Sequence, residues 1–274
     1  MVDVFNEEYK DHIFIMYTLH HLCNLQCSYC YQRNTPFSYQ PLDTSILKRF
    51  PDKKIWFEIL GGEPFCTVDV LLRELEKVYS FSNVVKIPIG TNGLLMLPHL
   101  EKFLEYKDKI VFTVTFHAEY AEQYYKPNFI EAIKFLQDNG IEYNITYLNT
   151  HKTDNIHRQF YEEVVKPNNF IFTGFYMYDE NHTIVNRDVV CPYNTCDYYY
   201  TKNGVKKPLS KYYDDISQYS KIICYNTSFS VRNNDLVLSC IECRGKANKP
   251  IVHSCRTKRC ICAYEFLTYK VGLK

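Results

Sequence analysis

Over the first 180 residues or so, apolar and polar positions switch back and forth between two periods. Ile13–Leu19 is an apolar run that reads as a strand. Lys54–Leu60, Val84–Ile89, Lys109–Phe116, Ile141–Leu148 and Phe170–Met177 repeat that pattern. Between them lie stretches with helical spacing. Asp43–Phe50 opens on an N-cap residue, Val68–Tyr79 carries leucines at helical intervals, and Pro98 starts a helix reaching about Tyr106. Asn128–Gln137 ends at Asn139-Gly140, as a glycine C-cap requires, and Ile156–Val165 is the last of the series. Gly61-Gly62 stops the second strand, and Thr91-Asn92-Gly93 turns the chain after the third.

Six strand–helix units in succession predict an α/β fold with a parallel sheet and helical crossovers. Eight would close a full barrel, so the expected architecture is a partial (β/α)6 TIM-type barrel. In such folds ligands lie at the C-terminal ends of the strands. The loops richest in chemistry all fall there: the cysteine loop, GGEP at 61–64, GTNG at 90–93, and His117-Ala118-Glu119. Beyond about Glu180 the alternation stops, which predicts a barrel domain over 1–180 and a small cysteine-rich extension over 181–274. Within the extension, Tyr225–Val231 and Leu236–Cys240 read as a hairpin around Asn233-Asn234-Asp235.

Composition narrows the function classes. A net charge of +1 offers no electrostatic case for nucleic acid or a membrane surface. No stretch approaches the ~20 apolar residues of a membrane span, and the acidic start lacks the basic region of a signal peptide. A cytoplasmic location is expected, and there clustered cysteines point to metal rather than to crosslinks. The chain has 12 cysteines, five of them between Cys240 and Cys262.

Cys23, Cys27 and Cys30 form a C-x3-C-x2-C triplet directly after the first strand. Thiolates are soft ligands that suit iron–sulfur clusters or zinc. Zinc would need a fourth ligand, which His20 or His21 could supply. Three thiolates on a four-iron cluster leave one iron open for chemistry, and the spacing favours that reading. Cys66, just after GGEP, reads as a packed core thiol.

The triplet, with Tyr29 as the aromatic residue before its last cysteine, together with Gly61-Gly62-Glu63-Pro64 and Thr91-Asn92-Gly93, resembles the radical S-adenosylmethionine (radical SAM) enzyme superfamily over about residues 12–180. The resemblance implies that Cys23, Cys27 and Cys30 hold a [4Fe–4S] cluster whose open iron binds SAM. It implies reductive cleavage of SAM to methionine and a 5′-deoxyadenosyl radical, which abstracts a substrate hydrogen. It places Gly61 and Gly62 against the methionine end of SAM, and Glu63 either near its amino group or orienting the turn. Pro64 stiffens the turn's exit. Tyr29, Asn92, Thr115 and His117 are further expected SAM neighbours, each with packing or turn formation as the alternative.

The tail adds Cys191, Cys196, Cys224, Cys240, Cys243, Cys255, Cys260 and Cys262. Their layout resembles the twitch or SPASM auxiliary-cluster extension of that superfamily, although the spacing departs from a full SPASM run. The resemblance implies one auxiliary iron–sulfur cluster on Cys224, Cys240, Cys260 and Cys262, with Cys243 and Cys255 as alternates; zinc is the competing occupant. Cys191 and Cys196 go either to one of these sites or to ordinary thiols. Enzymes with such tails often modify peptides or proteins, so the expected partners are SAM, a peptide substrate and an electron donor such as flavodoxin or ferredoxin. A small-molecule or nucleoside substrate is the alternative, and a non-catalytic zinc or iron–sulfur binding module is the rival from another class.

Overall fold

The computed structural model describes residues 2–30, 32, 39–150, 153–178, 184–186, 193–196, 199–238, 251–255 and 269–273. The strands of its first half are β1 (Val2–Phe5), β2 (His12–Thr18), β3 (Lys54–Leu60), β4 (Val84–Thr91), β5 (Ile110–Phe116), β6 (Glu142–Thr150) and β7 (Phe172–Tyr178). Then follow β8 (Ile184–Asn186), β9 (Tyr199–Lys202), β10 (Val205–Pro208), β11 (Lys221–Asn226), β12 (Ser228–Arg232), β13 (Asp235–Leu238), β14 (Ile251–Cys255) and β15 (Lys270–Leu273). Strands β2 to β7 pair in parallel and in chain order, forming the expected six-stranded partial barrel. Parallel order forces each connection across a sheet face, and helical segments fill those crossovers.

Alternation within these strands puts Ile55, Phe57 and Ile59, or Ile110, Phe112, Val114 and Phe116, on the buried side. Helix Val68–Tyr79 buries Leu71, Leu75 and Val78 on one stripe, the i, i+4, i+7 spacing visible in the sequence. Glu74 shares that stripe, its carboxylate satisfied by the Leu42 amide at 3.0 Å, Tyr39 Oη at 2.6 Å and Lys77 Nζ at 2.9 Å. Helix Pro127–Asp138 ends at Gly140, whose φ of +66° is the left-handed cap a side chain would resist. Two expected α-helices are 3₁₀ segments instead, Thr44–Arg49 and Leu97–Tyr106. Asp43 does cap the first, accepting from the Ser45 amide at 2.9 Å.

The C-terminal part departs further from expectation. The first strand of the hairpin starts later than predicted, at Ser228, with β12 and β13 turning at Asn233 and Asn234, both in left-handed conformation. Tyr225 belongs not to it but to β11, in a different sheet, because the chain changes sheets at Thr227, whose carbonyl accepts from the Phe14 amide at 3.0 Å. The hairpin then joins the barrel sheet, β12 running parallel to β2, so that the nine strands lie in the order β13-β12-β2-β3-β4-β5-β6-β7-β8. The second sheet has the order β10-β9-β1-β15-β11-β14 and takes β1 from the very start of the chain. Its core of Phe5, Tyr200, Tyr212, Ile216, Tyr219 and Ile222 is separate from that of the barrel. A boundary at residue 180 therefore does not divide the sheets: each draws strands from both sides of it.

Candidate functional site

A cavity of about 900 Å³ opens at the C-terminal ends of the barrel strands. Its wall takes Cys23, Cys27, Tyr29 and Cys30 from the loop after β2, Gly61 and Gly62 from the loop after β3, and Thr91 and Asn92 from the end of β4. Thr115 and His117 come from the end of β5, and Leu148 from β6. Five segments that are far apart in sequence meet here because parallel strands in register deliver their C-termini to one rim. Among the residues expected around a cofactor, Glu63 and Pro64 are buried and take no part in the wall.

The two glycines are required by the cysteine loop itself. A Cβ on Gly62 would lie 2.2 Å from the Leu22 carbonyl oxygen, and one on Gly61 would lie 2.9 Å from that of His20. Without side chains, the GGEP turn closes on the cysteine loop, with the Gly62 amide donating to His20 O and the Glu63 amide to Leu22 O, both at 2.7 Å. The glycines thus line the cavity while the faces that a side chain would occupy abut protein backbone.

Glu63 is fully buried, and its carboxylate accepts from the Phe65 amide at 3.0 Å, Thr91 Oγ1 at 2.7 Å and the Asn92 amide at 2.6 Å. It thereby locks the turn after β3 to the end of β4. Burial pushes its carboxyl upward, opposed by these three neutral donors. Asn92 carries the link onward: its side-chain amide donates to Asn24 Oδ1 at 2.7 Å, inside the cysteine loop. Its side-chain oxygen Oδ1 accepts from the Leu94 amide at 3.1 Å, so one residue shapes both the turn and the loop.

The middle of the cysteine loop is held from β5. Tyr120 Oη accepts from the Gln26 amide at 2.9 Å, and Glu119 accepts from the Ser28 amide at 2.8 Å and from the Ser28 hydroxyl. Tyr29 Oη lies 2.6 Å from His117 Nδ1, and Cys27 Sγ lies 3.5 Å from the same nitrogen. Burial pushes the imidazole of His117 down to about 4, which leaves it neutral at neutral pH. Burial likewise lifts the Cys27 thiol to about 11 and raises that of Cys23. These shifts describe thiols without a bound cation; a metal ion reverses them by favouring the thiolate. The grip from β5 was only half legible in sequence. Glu119 sits in a loop that chain order had marked, while nothing local distinguishes Tyr120 or Ser28.

Cys23, Cys27 and Cys30 are not in disulfides. Among the described residues, no group of three or more His, Cys, Asp or Glu is placed to hold a single metal ion. A tetrahedral zinc site needs ligands around one point. A four-iron cluster takes each thiolate at a different iron, so its ligands surround a volume. Three thiols on the wall of one cavity fit the second demand in donor type. Cys66, in the 3₁₀ turn Pro64–Thr67, is exposed rather than packed. In the tail, Cys224 is buried in β11 and Cys196 is exposed. Cys255 pairs opposite Ile222, two residues along the ladder from Cys224. Cys191, Cys240, Cys243, Cys260 and Cys262 lie outside the described residues. No helix among the described residues is long and apolar enough to cross a membrane.

No protein-family model and no curated protein matches the chain. Among solved structures it is similar to native anSMEcpe with bound AdoMet and Cp18Cys peptide, at TM-score 0.48 and 19% identity over 61% of this chain and 52% of that one. It is also similar to native anSMEcpe with bound AdoMet and Kp18Cys peptide, at TM-score 0.49 and 16% identity over 63% and 56%. A third similar structure is Streptococcus suis SuiB bound to precursor peptide SuiA, at TM-score 0.45 and 17% identity over 64% and 42%. The chain spans about half the length of these proteins.

Proposed function

We propose that this chain is a radical SAM enzyme, with Cys23, Cys27 and Cys30 as the ligands of a [4Fe–4S] cluster. The observation that carries the reading is the meeting of the cysteine triplet with Gly61-Gly62, Asn92, Thr115 and His117 around one cavity. When bound, the cluster supplies the electron that cleaves SAM to methionine and a 5′-deoxyadenosyl radical, and that radical removes a substrate hydrogen. The residues of this chain do the rest. Gly61 and Gly62 fix the cysteine loop against the next strand, and Glu63 and Asn92 hold the rim in register.

The substrate class we infer is a peptide or protein, the class implied by the resemblance of the cysteine-rich tail to twitch and SPASM extensions. A small molecule or nucleoside is the alternative. The tail then holds one auxiliary cluster, with Cys224 among its ligands, and the electron comes from a flavodoxin- or ferredoxin-type donor. A cytoplasmic location accords with both oxygen-sensitive clusters and reduced thiols.

Anaerobic reconstitution with iron and sulfide tests the core of this. The wild-type protein should turn brown, absorb near ~400 nm as thiolate-bound clusters do, and release 5′-deoxyadenosine from SAM and a reductant. The Cys23/Cys27/Cys30→Ala variant should release none. Equal release from both proteins, or none from either, would sink the reading. About four irons retained by the triple variant would support the auxiliary cluster, and zinc alone would remove it.

A further inference from the structure

The cysteine loop treats its thiols unequally. Cys23 Sγ receives a backbone donor, the Leu25 amide at 3.4 Å. Cys27 Sγ instead meets a side chain, His117 Nδ1 at 3.5 Å, while the amide of the residue that follows it, Ser28, is bound to Glu119 Oε2 at 2.8 Å. The Ser28 hydroxyl is taken up by the other oxygen of the same carboxylate. Glu119 therefore captures both donors of the residue that follows Cys27, and it places a negative charge against the loop. Tyr120, the next residue, holds the same loop through the Gln26 amide, but without charge. Fewer hydrogen bonds to cluster sulfurs and more negative charge nearby both make a cluster harder to reduce and a stronger reductant once reduced.

We propose that Glu119 is a positioning residue that keeps the reduction potential of the Cys23/Cys27/Cys30 cluster low, by withholding the Ser28 N–H and O–H from its sulfurs and by lending the loop a negative charge. This rests on the cluster reading above. It assigns to an exposed carboxylate in the 3₁₀ segment after β5 a redox role that a merely structural clamp would not have. Glu119→Gln keeps the size and one acceptor oxygen but removes the charge. Glu119→Asp keeps the charge on a shorter arm. Tyr120→Phe loosens the same loop with no change of charge.

The test is a redox titration of the reconstituted full chain, followed by electron paramagnetic resonance of the reduced cluster, with iron and sulfide content measured on each sample. At a fixed solution potential, Glu119→Gln should show a reduced-to-oxidised ratio about tenfold above wild type, equivalent to ~59 mV for a one-electron couple. Glu119→Asp should return most of the way, and Tyr120→Phe should stay near wild type at equal iron content. An unchanged ratio in Glu119→Gln, or the same rise in Tyr120→Phe, overturns the redox role of Glu119 and leaves the cluster reading standing. Failure of the wild-type chain to take up iron overturns the cluster reading itself, and this proposal with it.

Discussion

The two sheets both bury polar groups, but for different ends. Beside the nine-stranded sheet Glu74 pairs with Lys77, but the buried carboxylate next to the cavity, Glu63, meets only neutral donors, from the turn after β3 and from the end of β4. In the six-stranded sheet Asp3 and Asp215 face cations: Lys202 lies 3.7 Å from Asp3 and 3.4 Å from Asp215, and Lys207 lies 2.6 Å from Asp215. Tyr219 donates to Asp3 and Tyr200 to Asp215, while Asn203 reaches Asp3 at 2.7 Å. The first arrangement shapes a rim where chemistry is expected. The second ties β1, at the start of the chain, to strands some 200 residues later. Burial drives the Glu63 carboxyl up, whereas at Asp215 burial is outweighed by Lys207, Tyr200 and Lys202, which hold it below the usual carboxylate range.

Gly62→Ala should break the comparison most sharply. Its Cβ would collide with the backbone of Leu22, so the cysteine loop must shift. The iron held by the cysteine triplet and SAM cleavage should be lost, while global stability falls by only about 1–3 kcal/mol, the usual cost of overpacking. Iron analysis beside a urea melt reads both, and normal iron binding would show that the loop yields freely. Glu63→Ala strands three buried donors and should cost about 3–9 kcal/mol at 1–3 kcal/mol for each unsatisfied group. The same urea melt measures it.

Asp215→Asn removes the carboxylate that pairs with Lys207 and one of the two that face Lys202, and should cost about 2–3 kcal/mol at neutral pH. Because the folded carboxyl lies below its unfolded value, its contribution is complete above about pH 4 and is lost as pH falls through the folded value. The gap between wild type and variant should therefore narrow in melts at pH 3; a constant gap would assign the loss to packing. Arg49→Ala is the mildest test. Its 2.6 Å pair with Asp235 links the β12–β13 hairpin to the 3₁₀ segment Thr44–Arg49, with both side chains partly exposed. A loss of about 0.2–1 kcal/mol is expected, and a larger one would make the hairpin a stronger part of the barrel sheet than its exposure suggests.

How far the chain could be read without coordinates varies with the range of the forces involved. Lys54–Leu60 and Val68–Tyr79 fall where their periodicity puts them, because alternation and helical spacing are local records of which side is buried. Val2–Phe5 is too short to announce itself, and its partners are β9 and β15. The parallel pairing of Ser228–Ser230 with Phe14–Met16 has no local signal either. At the site, thiol chemistry and spacing single out Cys23, Cys27 and Cys30 without help. Whether Glu63 points to a ligand or into its own turn is not a property of GGEP. The answer comes from Thr91 and Asn92, one strand away.

Linear order thus accounts for the six strand–helix units, for the rim on which their loops lie, and for the soft donors on the first of those loops. These follow from side-chain period, the geometry of parallel connections and the chemistry of sulfur, all encoded within short stretches. Folding adds what depends on distant segments meeting: the grip of Glu119 and Tyr120 on the cysteine loop, the Glu63 lock, and the sheet that joins the two ends of the chain. Hydrogen bonds and steric contacts act over a few ångströms, so residues 90 positions apart acquire a shared role only once the strands beneath them are paired.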